Sequence, residues 1–150
     1  MWHQEMSERF RDATARWSEL GDVTVRRPDD VAAPIASGSY PVRAMTIVPC
    51  SMATVGALAS GAGTNLLHRA ADVTLKEKRP LVIVPRETPL STIHLRNMLT
   101  LAEAGATVLP PEPAFYLRPS SVDEIVAALA DRILQALAII NAPAKEHRWS

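Results

Sequence analysis

The chain predicts an open α/β fold around a parallel sheet, and two observations carry that expectation. Three short apolar runs, Met45-Thr46-Ile47-Val48, Leu81-Val82-Ile83-Val84 and Thr107-Val108-Leu109, alternate with stretches of helical period. Strands that are apolar on nearly every residue are covered on both faces, and intervening helices make them parallel with right-handed crossovers. Such sheets gather ligands at the carboxyl ends of their strands. That rule selects loops 50–54, 86–89 and 110–119 before any chemistry is considered, and the polar residues of interest fall in them.

The elements follow in order. Residues 6–20 put Met6, Phe10, Ala13, Trp17 and Leu20 on one helical face, with Gly21 as the stop. Residues 22–44 read as loop, with Pro28, Pro34, Pro41 and the small run Ala36-Ser37-Gly38-Ser39. The first strand ends at Pro49, and two helices follow over 52–59 and 64–78, separated by Ser60-Gly61-Ala62-Gly63. After the second strand, 91–104 is helical, with Leu95, Met98, Leu99 and Ala102 expected inward and Gly105 as a left-handed cap. Pro110, Pro111 and Pro113 impose an extended loop through Phe115 and Tyr116. Ser121 with Glu124 predicts a capping box for a last helix whose stripe is Val122, Ile125, Leu129, Ile133 and Leu137. The tail from Asn141 is polar apart from Trp149.

Composition narrows the function classes. A length of 150 residues suits one domain with a sizeable core. The 16 acidic and 16 basic side chains cancel, so no net charge draws the chain to nucleic acid or an anionic membrane. The longest apolar runs, 81–85 and 137–140, are too short to span a bilayer, and the polar N-terminus is no secretory signal. The single cysteine, Cys50, excludes an internal disulfide and suits a reducing cytoplasm. His3, His68, His94 and His147 show no ligand spacing, so no metal site is expected.

Three clusters could carry chemistry. In Pro49-Cys50-Ser51-Met52-Ala53-Thr54 a strand ends and two hydroxyls stand where a helix begins. Ser51 either caps that helix or joins its unpaired N–H groups in holding a phosphate. Cys50 reads as a small buried residue rather than a nucleophile. In the second cluster Arg86 and Glu87 are adjacent charges at a strand's carboxyl end. An arginine there can grip a phosphate through two parallel hydrogen bonds, and the carboxylate can move a proton; a surface ion pair is the alternative. Lys76 reads as a solvated helix end, with Arg69 and Asp72 on the same face and an i,i+4 pair to Asp72. In the third, Tyr116 offers a phenolic donor from a proline-stiffened loop, and Arg132 flanks the last helix's apolar stripe. Each of these two has packing or solvation as its alternative.

Taken together, four segments resemble the UbiX-type flavin prenyltransferases. They are PCSMAT at 49–54, NLLHRAADVTLKEKRPLVIVPRETPL at 65–90, HLRNMLTLAEAGATVLPPEPAFY at 94–116 and the helix bearing Arg132, and the ASGS run at 36–39 fits as well. The resemblance spans about 30–140 and implies a Rossmann-like or flavodoxin-like three-layer architecture. It divides one flavoprotein domain into a divergent helix and loop at 1–29, a family-like core at 30–140 and a tail at 141–150.

The function implied is transfer of a dimethylallyl group from dimethylallyl monophosphate to reduced FMN, without metal. The prenylated FMN would serve a UbiD-type decarboxylase. Ser51, Met52, Ala53, Thr54 and Arg86 are implied FMN contacts. Lys76, Arg86, Glu87, Tyr116 and Arg132 are implied to hold the prenyl phosphate, with Glu87 the catalytic proton carrier. The family also implies a cytoplasmic homo-oligomer whose sites close across subunit contacts, and a C-terminal segment near Trp149 covering the site.

The family pattern opens with a strand and a Gly-Ala-Ser-Gly turn that this sequence does not contain, so an N-terminally truncated sheet with an exposed edge at the first strand is expected. Two other readings stay open. One is an inactive fragment or interaction subunit of the same family. The other is an FMN-dependent cysteine decarboxylase-like flavoprotein, which shares the strand-end turn but has a PxMN segment with no counterpart in this chain.

Overall fold

The computed structural model describes residues 2–139, with the side chains of 2–7, 9, 10 and 18 excepted. Helix α1 (Trp2–Leu20) leads into loop that contains a 3-10 turn at Pro34–Ala36. Strand β1 (Met45–Cys50), helices α2 (Met52–Ser60) and α3 (Leu66–Lys76), strand β2 (Leu81–Pro85), helix α4 (Thr92–Glu103) and strand β3 (Thr107–Val108) follow. A 3-10 turn at Phe115–Leu117 precedes helix α5 (Val122–Ala136). The strands lie in sequence order, β1-β2-β3, and both pairings are parallel. This is the predicted open α/β sheet.

Strand β2 holds the centre, and all five of its residues are buried. Alternation along a strand sends its neighbours to opposite faces. Leu81 and Ile83 pack with Ile47, Cys50, Val55, Ala71 and Leu101 on the side of α2, α3 and α4. Val82 and Val84 pack with Leu137, backed by Ile133 and Ala136 of α5. Helices therefore cover both faces, which makes three layers.

Local chemistry sets the helix boundaries. Ser51, Asn65, Ser91 and Ser121 each accept a backbone N–H at the start of their helices. Gly61 (φ +67°) closes α2 in the left-handed region, where a Cβ would be strained, and Gly105 (φ +104°) follows α4. Strand β1 runs past the predicted stop: after an irregularity between Ile47 and Cys50, Cys50 aligns with Pro85 and accepts the Arg86 N–H at 3.1 Å. Proline is tolerated because, among the described residues, β1 has no strand on its other side.

Several expectations need correction. The α4 face turned to the core carries Met98 and Leu101, the latter 2% exposed, whereas Leu95 and Leu99 are 52% and 58% exposed and Ala102 is exposed. Two apolar stripes run along this helix. The inward one includes His94, whose imidazole Nδ1 accepts the Ser91 N–H at 3.2 Å and so makes a capping box with Ser91. The box predicted at Ser121 forms only in part. Ser121 accepts the Glu124 N–H, while the Glu124 carboxylate turns to the N–H and hydroxyl of Ser120. Val122, predicted inward, is exposed. Helix α1 starts earlier than predicted, and Trp17 and Leu20 of its apolar face are exposed. The tail with Trp149 lies outside the described residues.

Candidate active site

The carboxyl ends of the strands bring together most of the candidate residues. Strand β1 delivers the chain to Ser51 with the sequence Pro49-Cys50, and Cys50 is fully buried beneath. Burial pushes its thiol up to about 11, so it carries no nucleophilic thiolate near neutrality. Ser51 Oγ accepts the Thr54 N–H at 3.2 Å and lies 3.1 Å from the Thr54 hydroxyl. The cap uses one helix-end donor, and by helix geometry the N–H groups of Met52 and Ala53 have no intrahelical acceptor. Met52 is buried and anchors this turn in the core, while Ser51 and Ala53 are exposed.

Arg86 and Glu87 are exposed immediately beyond the buried β2. They line a cavity of about 480 Å³ with Thr88, Leu90, Met98 and Pro110–Glu112. Glu87 Oε1 accepts the N–H of Thr88 at 3.1 Å, which orients the carboxylate locally. No ion pair joins Arg86 and Glu87 among the described residues, so the surface-pair alternative is not what the structure contains. A neighbouring cavity of about 370 Å³ is lined by Tyr116 and Arg132, with Leu129, Leu117 and Pro113. The two cavities share Pro110 and Glu112 on the proline-rich loop. Arg132 is exposed and donates from Nη1 to Gln135 Oε1 at 3.1 Å. A third cavity of about 450 Å³, between Ala114–Pro119 and α5, contains none of the candidate residues.

Lys76 lies apart. It ends α3, the helix that leads into β2, and so sits at the amino edge of that strand, opposite Arg86. Its expected pairing is also different: Asp72 bonds Arg69 at 2.8 Å, and the Lys76 ammonium pairs with Glu77. Asp72 had cations within reach on both sides, and the i,i+3 partner won. The hydrogen bond from Lys76, with its charge second, holds the Glu77 carboxyl below its ordinary range. Both side chains lie against Gly38 of the ASGS run: a methyl group there would collide with Glu77 Oε1 and fall 2.7 Å from Lys76 Nζ.

Sequence reasoning missed the arginines that hold this second locus. Arg79 donates to Gly38 O at 2.7 Å and Tyr40 O at 3.0 Å, and Arg69 donates to Ala36 O at 3.1 Å. The available signal was topological. A helix feeding a parallel strand ends at that strand's amino edge, which sets the 76–79 segment apart from Arg86. Among the described residues, no group of three or more His, Cys, Asp and Glu could hold a metal, and no helix is long and apolar enough to cross a membrane.

Comparisons with known proteins bear on this arrangement. The Flavoprotein family model matches residues 1–134. A flavin prenyltransferase UbiX of Halalkalibacterium halodurans is 54% identical over 119 residues, which cover 79% of this chain and 58% of the relative. The flavin prenyltransferase LpdB of Lactiplantibacillus plantarum is 52% identical, over 90% of this chain and 71% of its own. Among solved structures, AnUbiX (PadA1) in complex with FMN and dimethylallyl pyrophosphate superposes with a TM-score of 0.78 at 45% identity, covering 84% of this chain and 66% of that one. A dodecameric FMN-dependent UbiX-like decarboxylase from Escherichia coli O157:H7 gives 0.78 at 47% identity, covering 83% and 66%. The chain spans about three-fifths of the length of the first curated relatives it matches, 58% and 62% for two of them. With the matched segments, the parallel sheet and the strand-end loops in agreement, this chain belongs to the Flavoprotein family, among its UbiX-type flavin prenyltransferases.

Proposed function

We propose that the chain carries out, or forms the larger part of a protein that carries out, transfer of a dimethylallyl group from dimethylallyl monophosphate to reduced FMN. One observation carries the proposal. Arg86 and Glu87 line one cavity, Tyr116 and Arg132 line the next, and the two share a wall at the carboxyl edge of the sheet. The allylic C–O bond breaks with its electron pair going to the departing phosphate, and the prenyl carbon bonds to the flavin. Arg86, Arg132 and the Tyr116 phenol supply donors for the charge that develops on that phosphate. Glu87 holds or gives the proton that the phosphate takes up.

FMN fits the same edge. Ser51, Met52, Ala53 and Thr54 present a hydroxyl pair and unspent helix-end N–H groups, and Arg86 presents a guanidinium without an ion pair among the described residues. FMN, when bound, supplies the nucleophilic ring atom.

Lys76 enters this scheme through a second copy of the chain. Five residues of β2, roughly 16 Å of rise at about 3.3 Å per residue, separate the Lys76 end from Arg86. One small phosphate does not span that distance, so the reading that Lys76 holds it requires a homo-oligomer. Support comes from the dodecameric relative and from the apolar Ile93, Leu95 and Leu99 left exposed on α4. A UbiD-type decarboxylase is the proposed recipient of the product, and the reducing cytoplasm the proposed location. The single domain is proposed to divide at 1–29, 30–140 and 141–150.

The test is flavin retention followed by turnover. Purified chain is mixed with FMN, passed through gel filtration and scanned for absorbance, then reduced and given dimethylallyl monophosphate. Stoichiometric flavin and a prenylated product are expected. Flavin-free protein would overturn the catalytic reading for this chain and leave that of an interaction subunit.

A further inference from the structure

Arg79 stands half-buried in the turn between α3 and β2, where its guanidinium bonds one loop and its charge also favours the Glu77 carboxylate. Nη2 donates to Gly38 O at 2.7 Å and Nη1 to Tyr40 O at 3.0 Å. Its own N–H donates to Thr74 O at 2.9 Å, which ties the arginine to the end of α3. Arg69, ten residues earlier, adds the bond from Nε to Ala36 O. Alternate carbonyls of the loop, at Ala36, Gly38 and Tyr40, are thus all taken by cations from α3 and its exit.

Lys76, paired with Glu77, rests against Gly38 of the same loop. Ser37 and Tyr40 spend their N–H groups on Pro34 O and Ser37 O. Among the described residues the N–H groups of Gly38 and Ser39 have no acceptor. Gly38 presents bare Cα hydrogens to the paired Glu77 carboxylate and Lys76 ammonium, and both reach so close that a methyl group would displace them, the carboxylate first. Lysine is a flexible point charge whose location depends on what it leans on. A guanidinium fork can hold two carbonyls at fixed separation, and an ammonium on a shorter stem cannot reproduce both bonds.

We infer that Arg79 is a positioning residue for Lys76: by clamping Gly38 and Tyr40 it fixes the surface that seats the ammonium used on the prenyl phosphate. The inference rests on the proposed role of Lys76. It makes the strength of phosphate binding depend on a side chain whose own bonds go to the Gly38 and Tyr40 carbonyls.

The test is a double-mutant cycle on the full chain, read by calorimetric titration with dimethylallyl monophosphate. Arg79→Gln is expected to weaken binding about tenfold, about 1.4 kcal/mol, and Arg79→Lys by less. Gly38→Ala is expected to match Arg79→Gln with an unchanged melting temperature, because only the far ends of two flexible side chains must move. In a Lys76→Met background the Arg79→Gln effect is expected to vanish, which a merely structural role would not produce. An equal loss in both backgrounds would overturn the inference while leaving Lys76 in place. Undiminished binding by Lys76→Met would instead overturn the role of Lys76, and the inference with it. Wild-type chain that binds no dimethylallyl monophosphate would overturn both readings at once. Should Arg79→Gln fail to fold, Arg79→Lys carries the cycle.

Discussion

Arg86 and Glu87 stand in water at the end of a strand that is buried along its whole length. Replacing the carboxylate with its amide keeps the shape and removes the proton. Glu87→Gln is therefore expected to retain FMN and lose about 10² or more in prenyl transfer, measured under single-turnover conditions; unchanged turnover would remove Glu87 from the chemistry. Cys50 makes a second prediction. Its folded thiol, pushed up to about 11 by burial, holds its proton more tightly than an unfolded thiol near 9. Stability from this group is complete below pH 9 and is lost as pH rises through 11, by about 3 kcal/mol once both states have ionised. Urea unfolding at pH 8 and pH 10.5 should show the larger part of that fall, about 2 kcal/mol, and Cys50→Ala should abolish the excess. Both residues were legible in the sequence, because a strand's end and a lone cysteine closing an apolar run are local facts. The pairing of Asp72 was not, since Arg69 and Lys76 both lie within one turn of it.

The elements repeat one device: a short polar side chain folds back on the first turn of each helix that follows a loop or strand. In α4 the device is doubled, with Ser91 Oγ accepting the His94 N–H and the His94 imidazole accepting that of Ser91. Ser91→Ala should cost about 1 kcal/mol, seen as a lower urea midpoint with an unchanged slope, and a loss near zero would mean water replaces the cap. This doubling also explains why the inward face of α4 differs from the one its apolar residues predict. A histidine at an inward position argues against burial by polarity alone, and only its reciprocal bond shows how it is accommodated. Helix and strand existence followed from periodicity and caps. Which of two apolar stripes faces inward depends on α2, where Gly56 lets the Asn97 amide approach closely enough to lie 3.4 Å from a Cβ placed there.

At the scale of the molecule, the parallel sheet was legible because strands alternate with helices, while the order β1-β2-β3 comes from the structure. The grouping of Arg86, Glu87 and Tyr116 followed from the same topology, since strands in parallel send their exits to one edge, whereas Arg132 reaches the Tyr116 cavity from α5. The isolation of Lys76 follows from it too, but a set of residues carried over from a family does not record which subunit contributes each member. The length of β2 then has a genetic consequence. If a working site joins the Lys76 end of one copy to the Arg86 end of another, a Lys76→Met protein and an Arg86→Met protein are each dead for different reasons. Co-expressed, they should form mixed assemblies in which some sites draw both intact halves, and a fraction of activity should return. Two lesions on the same edge, Glu87→Gln with Arg86→Met, should never rescue each other, because every site built from those two proteins inherits one damaged half.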